Sequence, residues 1–264
     1  TEVCRATFFE KQVIKTNGGL MKKRNAFTLA EVLITLGIIG IVAAMTLPLI
    51  VEDYRKKATA ESLRKSYAEL NQVLTMAISD YGDMQNWDYQ SAAEISQWVQ
   101  KYIKPYVKYT KAGECKDNKS SKCLGVPVVG QLGAGTNLSG YMVAPYLIVK
   151  SGGASTAWAF YKYNAYSEVR VHVYLKVPYK QRGIKGRNVF TFVLYPSGKP
   201  MFVPFGIETR PKIAQVSRDA LLKGPIRAGG CFKESGGPDY YGPGDGCGAV
   251  IMMDGWKISD DYPW

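Results

Sequence analysis

Residues 32–51, VLITLGIIGIVAAMTLPLIV, contain no charged side chain. Twenty helical residues at about 1.5 Å each cover the roughly 30 Å hydrocarbon thickness of a bilayer, so the segment predicts a transmembrane helix. A cleaved export signal has a shorter apolar region, about 7 to 15 residues, ending at a small-residue cleavage site. Here amphipathic sequence follows the run directly, with no such break. Lys22, Lys23 and Arg24 stand ahead of the run. The positive-inside rule keeps them cytoplasmic and sends the remainder of the chain across the membrane. That remainder is long enough, in a chain of 264 residues that is 46% hydrophobic, to bury a core of its own.

Glu31 heads the apolar run. A carboxylate in or beside a bilayer persists where it has a partner, and no basic residue occurs in the following 20 positions. A chain cut shortly before Glu31 would create the missing cation, a new α-amino group, on the same subunit or on a neighbour. The stretch KKRNAFTLAEVLITLGIIGIVAAMTLP resembles the N-terminus of type IV pilins and of type II secretion pseudopilins. The basic leader, Phe27, Thr28, Leu29, Glu31 and Pro48 sit where that family has them.

The resemblance implies cleavage between Ala26 and Phe27 by a prepilin peptidase and N-methylation of Phe27. It also implies assembly through the apolar helix, with Glu31 meeting a neighbour's N-terminus. The expected partners are other subunits of a homo- or hetero-oligomeric filament, the peptidase and the inner-membrane assembly machinery. The expected location is the inner membrane, single-pass, with the globular domain periplasmic or extracellular. Ala26 departs from the glycine usual before the cut, and being small it fits the same pocket. Residues 1–20 precede MKKRNA, which alone would serve as a leader, so they are expected to reflect a start assigned too far upstream. That gives a leader at 1–26, a membrane and assembly helix at 27–51, and an exported domain at 52–264.

Beyond the span, Tyr54, Ala58, Leu63, Tyr67, Leu70, Leu74, Ala77, Ile78 and Tyr81 recur at close to helical period. One helix of about 55 residues is expected, its first half in membrane or filament and its second half packed on the domain. Gly37, Gly40 and Pro48 are its points of kinking or loosening, and join Glu31 as assembly residues. SAAEISQWVQKYIKPY predicts a second helix, with a capping box of Ser91 and Glu94 and a stop at Pro105. From 141 onward, alternating runs such as EVRVHVYLKV and NVFTFVLY predict strands. YPSGKP predicts a hairpin turn, KIAQVSRDALLKG a short helix ended by Gly224, and GAVIMM a last strand. The fold expected is α+β, the long helix packed on an antiparallel sheet, as in pilins.

Cys115, Cys123, Cys231 and Cys247 form two short-range pairs among Gly, Lys, Ser and Pro, and in an exported domain they predict disulfides 115–123 and 231–247. Cys4 is the odd thiol. No C-x-x-C occurs and His172 is the single histidine, which argues against zinc. His172 lies in the alternating VRVHVYL and is expected on the strand surface. Nucleophile-elbow, P-loop and complete dinucleotide motifs are missing, so no enzyme, cofactor or metal is expected. GIKGRNVFTFVLYPSGKPMF resembles a pseudopilin stretch, but Asn188 stands at the usual aspartate, so the calcium site of some relatives is not carried over. Residues 151–227 hold 13 Lys and Arg against three acids. With its interleaved aromatics this belt offers a second function, a minor pilin binding DNA or an acidic surface polymer. The last 37 residues reverse the balance, with two Lys against six acids. They are expected to form a solvated acidic loop.

Overall fold

The computed structural model describes residues 28–87, 94–115, 124, 146–151, 156–162, 168–176, 184–195, 202–207, 216–223, 230–232 and 244–264. Helix α1, Leu29–Tyr81, runs unbroken for 53 residues with Pro48 inside it. The chain divides into two units, with the boundary between Ile50 and Val51. In the first unit, α1 presents its apolar side chains to the outside: Leu29 is 80% exposed and Met45 71%.

In the second unit, α1 buries a stripe at helical spacing: Thr59, Ala60, Leu63, Ser66, Leu70, Val73, Leu74 and Ala77. The stripe begins later than the sequence pattern suggests, since Tyr54 stays exposed. Tyr67 is half-buried and stacks on Phe192 and Phe202, with ring centroids 5.9 and 5.5 Å away. Its hydroxyl donates to the Phe202 carbonyl at 3.4 Å.

The stripe packs on a six-stranded antiparallel sheet whose strands follow chain order: β1 (Tyr109–Glu114), β2 (Tyr146–Lys150), β3 (Ala157–Lys162), β4 (Val169–Tyr174), β5 (Val189–Leu194) and β6 (Phe202–Pro204). Register explains the core. Val171 pairs with Phe160 and Phe192, and Val173 with Trp158 and Phe190, so these residues share one face with Ile148 and Leu194. All of them belong to the same buried cluster as the α1 stripe. The opposite face, through Ala159, Arg170, His172, Tyr174 and Thr191, is buried as well.

The remaining helices are α2 (Ile95–Tyr102), α3 (Arg218–Lys223) and α4 (Cys247–Met253). Helix α2 begins at Ile95, with Glu94 in the 3₁₀ turn just ahead of it, and the capping box expected of Ser91 and Glu94 falls partly outside the described residues. The structure departs from the sequence reading in two segments. GAVIMM forms the body of helix α4, not a strand. Its unbroken apolar run lacks the alternation that separates the two states, and Gly248 brings the helix close to Pro204 and the Thr191 carbonyl. Finally, β1 is an element the sequence reading does not anticipate, because its exposed, polar YTKAGE carries little apolar signal.

Candidate assembly site

The head of α1 is built by two side chains. Thr28 precedes the first helical residue and Glu31 follows three positions later, the spacing of a capping box. The Thr28 amide and hydroxyl both donate to Glu31 Oε2, at 2.8 and 2.9 Å. In return the Glu31 amide donates to Thr28 Oγ1 at 3.2 Å. A helix N-terminus leaves amides unsatisfied, and this exchange serves two of them. Glu31 Oε1 has no partner among the described residues. The carboxylate is therefore held in place by its own chain while half of its acceptor capacity stays open. T-x-x-E before an apolar run is a sequence signal for this box, and the charge argument alone passes it over.

Downstream of Glu31, the span closes its own polar groups. Thr35 Oγ1 donates to the Val32 carbonyl and Thr46 Oγ1 to the Val42 carbonyl, each at 3.0 Å. Pro48 supplies no amide to the preceding turn, which is a point of weakness in the ladder. A side chain built on Gly37 or Gly40 would meet nothing within 4 Å. Packing within one chain thus gives no reason for either glycine. The α1 helix is long and apolar enough to cross a membrane, and none of its most apolar window is buried. An apolar surface of that extent fits membrane anchoring and assembly with other subunits. Ala26 and Phe27 lie outside the described residues.

The second unit buries several charged groups, among them Lys162, Glu168, Arg170 and Asp245. His172 is buried, contrary to the surface position expected of it, because both faces of the sheet are covered. Its Nε2 lies 2.6 Å from the Tyr161 hydroxyl. Burial, with Lys185 and Arg170 adding repulsion against the pull of Asp245, pushes its pKa down to about 3, so the ring is neutral. Lys185 Nζ lies 2.6 Å from Asp245 Oδ1, both side chains buried, and Thr191 Oγ1 donates to the same oxygen at 2.6 Å. Burial alone would raise the Asp245 pKa, but Lys185, His172 and Thr191 bring it below the usual value. Arg170 donates to Glu168 at 3.0 Å and lies over the Phe205 ring.

The C-terminal segment is clasped to this region. Cys231 and Cys247 are joined by a disulfide, with Cα atoms 4.5 Å apart. Gly186 sits against it: at φ +81° an added Cβ would come within 2.8 Å of Cys247 Sγ. The Tyr262 hydroxyl donates to the Gly186 carbonyl, and burial drives its pKa above the ordinary tyrosine range. Arg218 Nη2 donates to Asp254 and Asp261 at 2.8 and 2.7 Å. Asp245 and Asp254 thus act as ion-pair partners away from solvent, which corrects the expectation of a solvated acidic loop at these two positions; Asp261 is paired but exposed, Asp260 is exposed, and Glu234 and Asp239 lie outside the described residues. Cys115 is disulfide-bonded, and its expected partner Cys123 lies outside the described residues.

Among the described residues the basic belt divides into buried, paired and exposed cations. Lys162 and Arg170 are buried, Lys185 and Arg218 are paired as above, Lys223 Nζ meets Asp219 at 3.0 Å, and Lys176 and Arg187 are exposed. Lys180, Arg182, Lys199, Arg210, Lys212 and Arg227 lie outside the described residues. Among the described residues no group of three or more His, Cys, Asp and Glu side chains is placed to hold a metal.

Two family models match the chain. One, described as a prokaryotic N-terminal methylation motif, covers residues 21–47 and is the signature of type IV pilins and pseudopilins. The other, described as a family of unknown function (DUF6613), covers residues 49–264. No curated protein and no solved structure matches.

Proposed function

Because the chain belongs to the family of unknown function DUF6613 and carries the N-terminal methylation motif ahead of it, we propose that it is a structural filament subunit. The filament is a type IV pilus or a type II secretion pseudopilus. The single observation that carries this reading is the exposed apolar half of α1 with a carboxylate fixed at its head.

Residues 1–26 act as leader, 27–51 as membrane and assembly helix, and 52–264 as the exported domain. The peptidase cuts between Ala26 and Phe27, and Phe27 is N-methylated. In the membrane the exposed face of α1 contacts lipid; in the filament it contacts the helices of neighbours. Glu31 Oε1 accepts from a neighbour's N-terminal ammonium, and a slip of one subunit would leave both charges unpaired in an apolar core, which sets register. Gly37 and Gly40 let neighbouring backbones approach closely, as small residues do between membrane helices. Pro48 loosens the helix where the filament needs it to bend or extend.

The direct test is mass spectrometry of the mature chain recovered from membranes of cells that hold a prepilin peptidase. The expected N-terminus is N-methyl-Phe27. A chain that retains Ala26 in the presence of active peptidase overturns the processing step.

A further inference from the structure

Within the second unit, an amine on β2 and a carboxylate on α1 meet outside the groups described so far. Lys150 is the last residue of β2, and its backbone amide donates to the Thr156 carbonyl at 2.9 Å. Glu69 stands on α1 beside the buried Leu70. Lys150 Nζ is in direct contact with Glu69 Oε2, across 81 positions of sequence. The two side chains are 14% and 33% exposed. Strand and helix fix both backbones, so folding itself holds the nitrogen one bond away from Glu69 Cδ.

The surroundings favour a neutral amine. Lys150 Nζ lies 4.7 Å from the centre of the Trp158 ring, which belongs to the buried core. Burial first, then the like charge of Lys65, push the Lys150 pKa down to about 8, while Glu69 as a carboxylate pulls the other way. Lys65 stands four positions before Glu69, on the same side of α1. A lysine desolvated beside a second cation is an activated nucleophile. The buried Lys185–Asp245 contact differs, because Lys185, His172 and Thr191 hold Asp245 ionised, and an ionised carboxylate resists attack. Lys223 and Asp219 differ in the opposite sense, being open to water.

We propose that Glu69 and Lys150 condense into an intramolecular amide that ties α1 to the sheet. Within the pair a proton passes from the ammonium to the carboxylate, giving a neutral amine and a neutral acid. The nitrogen lone pair forms a bond to Glu69 Cδ. The C–O bond to the acid's hydroxyl then breaks, and that hydroxyl leaves as water with one proton from the nitrogen. Amine and acid become amide and water with no change of oxidation state, so no oxidant or activated donor enters. The positive charge of Lys65 favours the oxyanion formed on the way. Free partners in water resist this condensation because they lose independent motion and because water drives the reverse reaction. Folding removes the first obstacle, with effective molarities for well-oriented groups reaching about 10⁵–10⁸ M, and burial reduces the second. In the proposed filament, the bond carries a pull on α1 into the sheet through covalent linkage as well as packing.

The test uses the full chain purified in nonionic detergent, and its readout depends neither on leader removal nor on filament formation. After reduction and alkylation, tryptic peptides are analysed by mass spectrometry. The expected product is one branched peptide joining the segments that contain Glu69 and Lys150, lighter than their sum by one water, with Lys150 left uncut by trypsin. Lys150→Arg keeps a positive charge facing Glu69 but has no primary amine. It is expected to abolish both the branched peptide and the loss of water, and to slow the reduced chain in a denaturing gel because the closed loop is gone. Glu69→Ala is expected to make Lys150 cleavable by trypsin. Recovery of Glu69 and Lys150 in separate, unmodified peptides from the folded chain would overturn the proposal, as would a loss of water that persists in Lys150→Arg.

Discussion

Asp245→Asn is the sharpest probe of how the second unit holds its C-terminal segment. The substitution keeps the shape of the side chain and an oxygen for Thr191 Oγ1, but removes the charge facing Lys185 at 2.6 Å. Both side chains of that pair are at least nine-tenths buried, 7% and 5% exposed. Breaking a buried pair by removing one partner costs about 3–5 kcal/mol, since the survivor is left charged in a poor solvent. Urea slopes for small domains are about 1–3 kcal/mol per molar, so a loss of ~3 kcal/mol moves the midpoint by at least about 1 M. Tryptophan fluorescence follows the transition, under oxidising conditions that keep Cys231–Cys247 intact. Two comparisons frame the result. Lys223→Ala breaks an exposed pair, 76% and 70% accessible, and is expected to cost under ~1 kcal/mol. Lys185→Met with Asp245→Leu removes both charges together and is expected to recover most of the loss. An Asp245→Asn midpoint no lower than that of Lys223→Ala would refute the claim that this pair is desolvated and holds the segment down.

Other expectations follow from the same geometry. His172 has its folded pKa lowered to about 3 against an ordinary 6.5, so its contribution is fully present above pH 6.5 and is lost as pH falls toward 3. Below pH 6.5 the stability of the unchanged chain is therefore expected to fall more steeply than that of His172→Gln, and equal slopes in denaturant titrations at pH 6.5 and 4.5 would contradict it. Gly37→Ala and Gly40→Ala are expected to leave membrane insertion and chain stability unchanged, because nothing lies within 4 Å of the added methyl groups, while lowering the yield of sheared filaments. Glu31→Gln retains a carbonyl oxygen for the Thr28 bonds but loses the charge, so it is expected to reduce filament incorporation while the membrane-inserted chain accumulates normally. Wild-type filament yield from Glu31→Gln would remove the charge from the assembly mechanism. Replacing Cys231 and Cys247 together with serine is expected to cost about 2–4 kcal/mol, measured by the same urea titration.

Sheet and long helix are legible in the sequence because their periods are clean. The stripe Leu63, Leu70, Leu74 and Ala77 announces a helix face, and VRVHVY and VFTFVL announce strands. What those periods do not carry is the environment of the second face. Alternation in VRVHVY predicts that Arg170 and His172 meet solvent, yet Arg170 is 3% exposed and His172 6%. A polar residue on a strand is compatible with water or with a buried partner; Glu168 lies only two positions from Arg170, but Tyr161, the partner of His172, is visible only once register is known. The acidic C-terminal segment is opaque for the same reason. Its charge balance is a local count, whereas the ion pairs Lys185–Asp245 and Arg218–Asp254 link positions 60 and 36 residues apart.

The head of α1 shows the opposite relation between local and distant partners. A carboxylate before an apolar run invites a search for a distant cation, and the described chain answers with a local partner, Thr28, at hydrogen-bond distance. The two roles do not compete, since both Thr28 bonds fall on Oε2 and leave Oε1 for another donor. A carboxylate already ordered by its own helix loses less conformational freedom when a neighbour's ammonium arrives than a freely rotating one would. In the proposed assembly, the capping box is expected to favour pairing by orienting the acceptor in advance. Thr28→Ala separates this effect from charge pairing. It retains Glu31 and the amide bond but removes the hydroxyl, and is expected to slow filament assembly without abolishing it, whereas Glu31→Gln keeps the box and loses the charge. Equal losses from the two variants would mean that the box acts only on helix formation; a larger loss from Glu31→Gln is the outcome that pre-orientation plus charge pairing requires.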